Sequence, residues 1–102
     1  MSFKLRIVQN FDKRDSVSFL ELERKFVEME KTSQSITAGR RFIPVIGKEP
    51  SNTMVWEADF PSMEAVLEAL KTMEDSDEHD KLLSEQVRYM RDNYIEIYEE
   101  FV

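Results

Sequence analysis

The chain has 102 residues, 41% hydrophobic and 11% aromatic, with no cysteine and a formal net charge of −7. That is enough apolar material for one packed domain over residues 1–102, and the acidic balance argues against nucleic acid or an anionic membrane as the main partner. The lack of cysteine excludes disulfides and thiolate chemistry, no apolar run reaches the ~20 residues of a membrane span, and a start without a signal-like apolar region points to the cytoplasm.

Phe3 to Phe11 is the first expected strand. Phe3, Leu5, Ile7, Gln9 and Phe11 share one face, and Lys4, Arg6, Val8 and Asn10 share the other. A helix is expected from Ser16 to Thr32, with Phe19, Leu22, Phe26 and Met29 on one stripe. Ser18 and Glu21 have the spacing of a capping box, with Asp15 as a competing cap. Glu21, Glu23, Arg24, Lys25, Glu28 and Glu30 mostly fill the wet side of that helix. The polar run from Thr32 ends in Gly39, a residue suited to reversing the chain.

Arg40 to Phe60 reads as a hairpin. Its first strand is expected over Phe42 to Ile46, and Pro44 places it at a sheet edge because proline has no N–H to donate. Gly47 to Asn52 is a cluster of turn formers. In the third strand Met54, Trp56, Ala58 and Phe60 alternate with Val55, Glu57 and Asp59, giving a drier and a wetter face.

Pro61 and Ser62 open a second helix, with Ser62 as N-cap and Val66, Ala69, Leu70 and Met73 as its stripe. The polar run Asp75 to Glu78 interrupts it. A further helix is expected from Asp77 to Met90, with Leu82, Leu83, Val87 and Met90 inward. Asp92 and Asn93 are expected to turn. Tyr94 to Phe101 is the last strand, with Ile95 and Ile97 opposite Tyr94, Glu96 and Tyr98.

The order β-α-β-β-α-β predicts an α+β, ferredoxin-like fold: two right-handed crossovers around a central hairpin and a four-stranded antiparallel sheet with helices on one face. The first and last strands are expected side by side in the middle. The uncovered face mixes Lys4 and Arg6 with Val8, Tyr94 and Tyr98, and Arg6 is placed to pair with Glu96. A half-apolar free face predicts a homodimer through the sheet, against the alternative of a monomer with a solvated sheet.

His79 is the only histidine. It is either a general base near neutral pH or a solvated residue in the acidic turn Asp77 to Asp80. No metal site is expected: neighbours on a helix point about 100° apart, and Asp75 and His79 straddle a helix start. Trp56 reads as core or pocket wall. Arg40 and Arg41 read as an anion site or as edge protection. Tyr89, Tyr94 and Tyr98 line either a pocket or a dimer seam. Two glycines in the whole chain leave no phosphate-cradling loop.

Val55-Trp56-Glu57 on a strand, the run Phe60 to Ala65, and Ser76 three residues before His79 resemble the dimeric α/β-barrel superfamily. The nearest branches are the antibiotic-biosynthesis-monooxygenase-like and NIPSNAP-like domains. The resemblance spans the whole chain and implies a small-molecule pocket between sheet and helices, with Asn10, Trp56 and His79 at matching positions. Some relatives degrade haem with an Asn, a helix Trp and a His. Here the only Trp lies on a strand and Val66-Leu67 fills the helix position, so no cofactor is implied. The activity implied is cofactor-independent, oxygenase-like or isomerase-like chemistry on a small aromatic or polyketide-like molecule, with Asn10 and His79 as catalytic candidates and Trp56 and the tyrosines, Tyr94 among them, holding the ring. The rival reading is a non-catalytic module that binds a small ligand or a protein. A cavity touching both Asn10 and His79 would favour the enzyme, and a filled core the module.

The break at Asp75 to Glu78 predicts where a ligand would sit, because helix cover gapes there. A cavity is expected with Trp56 in its floor, His79 at its rim, and Val66, Leu70 and Leu83 in its walls. Trp56 on the opposite face would instead make it an interface residue.

Overall fold

The computed structural model describes residues 2–102. In chain order the elements are β1 (Phe3–Phe11), α1 (Ser16–Thr32), β2 (Arg40–Phe42), β3 (Thr53–Phe60), α2 (Met63–Asp75), α3 (Asp77–Gln86) and β4 (Met90–Glu99), with single 3-10 turns over Lys13–Asp15 and Val87–Tyr89. They form one antiparallel sheet in the order β2-β3-β1-β4. This is the ferredoxin-like α+β arrangement. β1 and β4 are neighbours, as expected, but the middle of the sheet is β3 and β1, and β4 is an edge. The hairpin partner β3 claims the other side of β1, which pushes β4 outward.

Local chemistry explains most of the element ends. Ser62 caps α2, its Oγ accepting from Ala65 N at 3.1 Å. Ser76 stops α2 and starts α3, its Oγ accepting from His79 N at 3.2 Å. The capping box expected at Ser18 is not used: Ser18 lies inside α1, and Asp12 caps the preceding 3-10 turn by accepting from Arg14 N. A side chain already inside a helical turn has no free N–H within reach ahead of it.

The bounds of β2, α3 and β4 differ from those expected. β2 is Arg40–Phe42 rather than Phe42 to Ile46 and stops before Pro44, so the connection to β3 takes residues 43–52 rather than 47–52. α3 ends at Gln86, one 3-10 turn follows, and β4 begins at Met90. Asp92 and Asn93 therefore lie within β4 opposite Asn10 and Gln9, after a bulge that shifts register between Asn10 and Phe11. Inter-strand pairing with β1 overrides their turn propensity.

The helices cover the face that carries Leu5, Ile7, Trp56 and Ile97. The apolar core falls into two clusters. The larger holds Leu5, Phe26, Met29, Ile36, Trp56, Phe60, Val66, Ala69 and Met73. The smaller is Phe11, Phe19 and Met54, with the Phe11 and Phe19 rings stacked 4.4 Å apart. Tyr89 packs against this second cluster, away from Tyr94 and Tyr98.

The opposite face is an ionic lattice. Arg6 donates to Glu57 on β3 and to Glu96 on β4, both at 2.9 Å, and Lys4 pairs with Asp59 at 3.2 Å. Its apolar residues are covered in part within the chain, while Phe42 and Tyr98 stay exposed. Val8 and Val55 are buried, and the loop after β2 reaches over them: Glu49 accepts from Asn10 Nδ2 at 2.9 Å and from the Tyr94 hydroxyl at 3.2 Å. No helix among the described residues is long and apolar enough to cross a membrane.

Candidate functional site

A cavity of about 360 Å³ opens between the sheet and the helices, beside the break between α2 and α3. Trp56 from β3 and Ile7 from β1 line its sheet side. Phe26 from α1, Leu70 from α2 and Leu83 from α3 line its helix side. The volume falls in the ~300–1,000 Å³ range of small-molecule sites.

The placements follow from the pleat. β3 pairs with β1 in unbroken register over Thr53–Phe60, so the pleat turns Trp56 to the helices and Val55 away from them. His79 sits in the first turn of α3, on the cavity, with its ring edge-on to Phe26 at 5.1 Å between centroids. Burial pushes its imidazole below the ordinary value, against a weaker upward pull from Glu30, Asp80 and Glu23. The ring is therefore neutral near pH 7 and able to accept a proton.

Of the residues singled out from sequence, Trp56, His79, Leu70 and Leu83 line this cavity together. Val66 is fully buried in the larger cluster and does not line it. Asn10 and Tyr94 lie on the other face of the sheet, both bonded to Glu49. Asn10 also donates to Thr53 Oγ1 at 2.7 Å. Asn10 and His79 are thus separated by the sheet itself.

The polar end of the cavity was not legible in the sequence. Glu23 and Glu30, assigned to the wet side of α1, are buried. Arg41 on β2 faces the helices opposite Trp56 in register, and its guanidinium donates to both. The Arg41 Nη2 to Glu30 Oε2 distance is 2.6 Å. Arg41 is therefore neither an anion site nor edge protection; exposed Arg40 instead lies over the Phe42 ring. Trp56 Nε1 donates to Glu30 at 3.3 Å, and Gln86 Nε2 donates to Glu23 at 2.7 Å. Gln86 is fully buried against the cavity, and its Oε1 has no donor. The available signal was positional: Glu23 and Glu30 are seven apart, two helical turns on one face. Both lie next to members of the apolar stripe, Leu22 and Met29.

No family model matches the chain, and no curated protein matches it in sequence. Solved structures do match in shape. A NIPSNAP family protein from Agrobacterium tumefaciens superposes with a TM-score of 0.77 at 10% identity, covering 99% of this chain and 94% of its own. A NIPSNAP-like domain protein from Burkholderia xenovorans gives 0.76 at 12% identity, covering 98% and 85%. An antibiotic biosynthesis monooxygenase gives 0.74 at 14% identity, covering 98% and 99%. The chain shares their fold. Identity this low carries the architecture, and the functional reading rests on the site itself.

Proposed function

We propose that the chain binds a small, mostly apolar molecule in the cavity between sheet and helices. The observation that carries this is the cavity itself: Trp56, Phe26, Leu70 and Leu83 supply apolar walls, and His79 and a buried polar cluster stand at its edge. Native mass spectrometry of the purified protein tests it, with Trp56→Ala as control. The expected result is a retained small molecule that Trp56→Ala loses while the fold persists. An empty wild-type protein whose Trp56 fluorescence answers to no apolar ligand would overturn the reading.

The second reading is the oxygenase-like enzyme, and the neutral, cavity-facing His79 favours it. In such chemistry a base withdraws a proton and the carbanion reacts with O₂, while a hydrogen-bond donor holds the enolate. Asn10 is outside the cavity, so that donor would be an amide of Gln9 or Asn93, which line it. Oxygen uptake with aromatic polyketide-like substrates, abolished by His79→Ala, supports this reading; uptake unaffected by that variant removes it.

Self-association through the sheet face belongs to the same proposal. What favours it is the loop after β2, where Ile43, Val45 and Ile46 are exposed, the last two at 95% and 98%. Sedimentation distinguishes a 12.1 kDa monomer from twice that mass. The setting proposed for the chain is the cytoplasm.

A further inference from the structure

At the polar end of the cavity the carboxylates of Glu23 and Glu30 take up the donors present, and one buried acceptor, Gln86 Oε1, is left over. The three guanidinium nitrogens of Arg41, the Trp56 indole N–H and the Gln86 amide nitrogen each already donate to Glu23 or Glu30. Gln86 Nε2 also donates to the Phe19 carbonyl, so both its known partners are acceptors and the amide cannot be turned over without breaking both bonds. Its fully buried Oε1 is left with no donor. Charge points the same way. The lining carries four carboxylates, Glu23, Glu30, Glu74 and Asp80, against the single guanidinium of Arg41.

We propose that this cavity selects an organic cation, an amine carried on an aromatic or aliphatic body, over neutral and anionic molecules of the same shape. The proposal rests on the cavity being a ligand site and names the class of ligand it takes. An ammonium group brings a positive charge to a lining in which carboxylates outnumber the one guanidinium, and N–H donors to a surplus of acceptors. An anion brings acceptors to acceptors and adds to the surplus of negative charge. The Trp56 ring supplies a face for the cation, and Phe26, Leu70 and Leu83 receive the apolar body. Glu74 and Asp80 are exposed at the mouth, where their field draws in cations and repels anions.

The test uses three molecules of one shape: 3-phenylpropylamine, 3-phenylpropan-1-ol and 3-phenylpropanoate. Binding is read from the NMR signal of the Trp56 indole N–H, the only tryptophan in the chain. The expected order at low salt is amine, then alcohol, then carboxylate, with about a tenfold or greater gap between the first and last. The double variant Glu74→Gln, Asp80→Asn changes only exposed side chains and is expected to narrow that gap about threefold or more. Alcohol or carboxylate binding as tightly as the amine, or an amine that binds without moving the Trp56 signal, overturns the cation selection and leaves the cavity reading standing. Failure of all three molecules to move that signal at millimolar concentration overturns both.

Discussion

Gly39 and Trp56 are in direct contact: a Cβ built on Gly39 would fall 2.0 Å from both Cε2 and Nε1 of the indole. The glycine is there for close approach. No described glycine has positive φ, so Gly39 is not needed for a left-handed backbone conformation. The Gly39 N–H and the Trp56 indole N–H converge on one oxygen, Glu30 Oε1, at 3.0 and 3.3 Å. Gly39→Ala is therefore expected to displace the indole and destabilise the fold by about 1–3 kcal/mol, the usual cost of overpacking. Urea denaturation measures the loss, and Trp56 emission reports the displaced ring. An unchanged midpoint would show that the ring moves freely.

Arg41 should be the most sensitive charged residue. Its removal leaves Glu23 and Glu30 buried without their cation, which typically costs about 3–5 kcal/mol. Arg41→Met is the variant, and neighbouring Arg40→Ala, an exposed change expected within about 0.5 kcal/mol, is the control. Equal effects at the two positions would refute the buried cluster. The triple variant Glu23→Gln, Glu30→Gln, Arg41→Met should recover part of the loss, because no unpaired charge remains.

His79 makes stability depend on pH with a definite sign. Burial lowers its folded pKa, against the pull of Glu30, Asp80 and Glu23. Between that lowered value and the ordinary one of about 6.5, the unfolded chain holds more protons on this residue than the folded chain. The stability contributed by a neutral His79 is complete above the window and is lost as pH falls through it. His79→Gln should flatten this part of the profile. An imidazole NMR titration with a midpoint at or above the ordinary value would contradict the burial.

Glu49 should hold the loop of residues 43–52 against the sheet. Burial raises the Tyr94 phenol above its ordinary value, and the hydrogen bond to Glu49 raises it further. Glu49→Gln keeps an acceptor but removes the charge, so the Tyr94 titration should move down. Glu49→Ala should cost about 1 kcal/mol and speed amide exchange in the loop. Unaltered exchange there would mean that the loop is held by other contacts, such as the pair of bonds between Asn52 and Phe11.

The sequence determined what period and local chemistry encode. The alternation in β1 and β3 set which side of the sheet Trp56 faces, and the stripe of α1 set Phe19, Leu22, Phe26 and Met29 inward. Ser62 and the polar break at Asp75 to Glu78 marked the helix ends because caps act within one turn. The element order gave the fold, and the gap in helix cover gave the neighbourhood of the cavity. Tertiary structure decided everything that depends on partners far along the chain. The hydrogen-bonded pairing of β1 with β3 put β4 at an edge and drew Asp92 and Asn93 into it. A sheet separates Asn10 from His79, and no local pattern states which side of a sheet a helix start overlooks. Glu23 and Glu30 read as solvated because carboxylates on a helix usually are; they are buried because Arg41, on another element, arrives between them with the charge that offsets their desolvation.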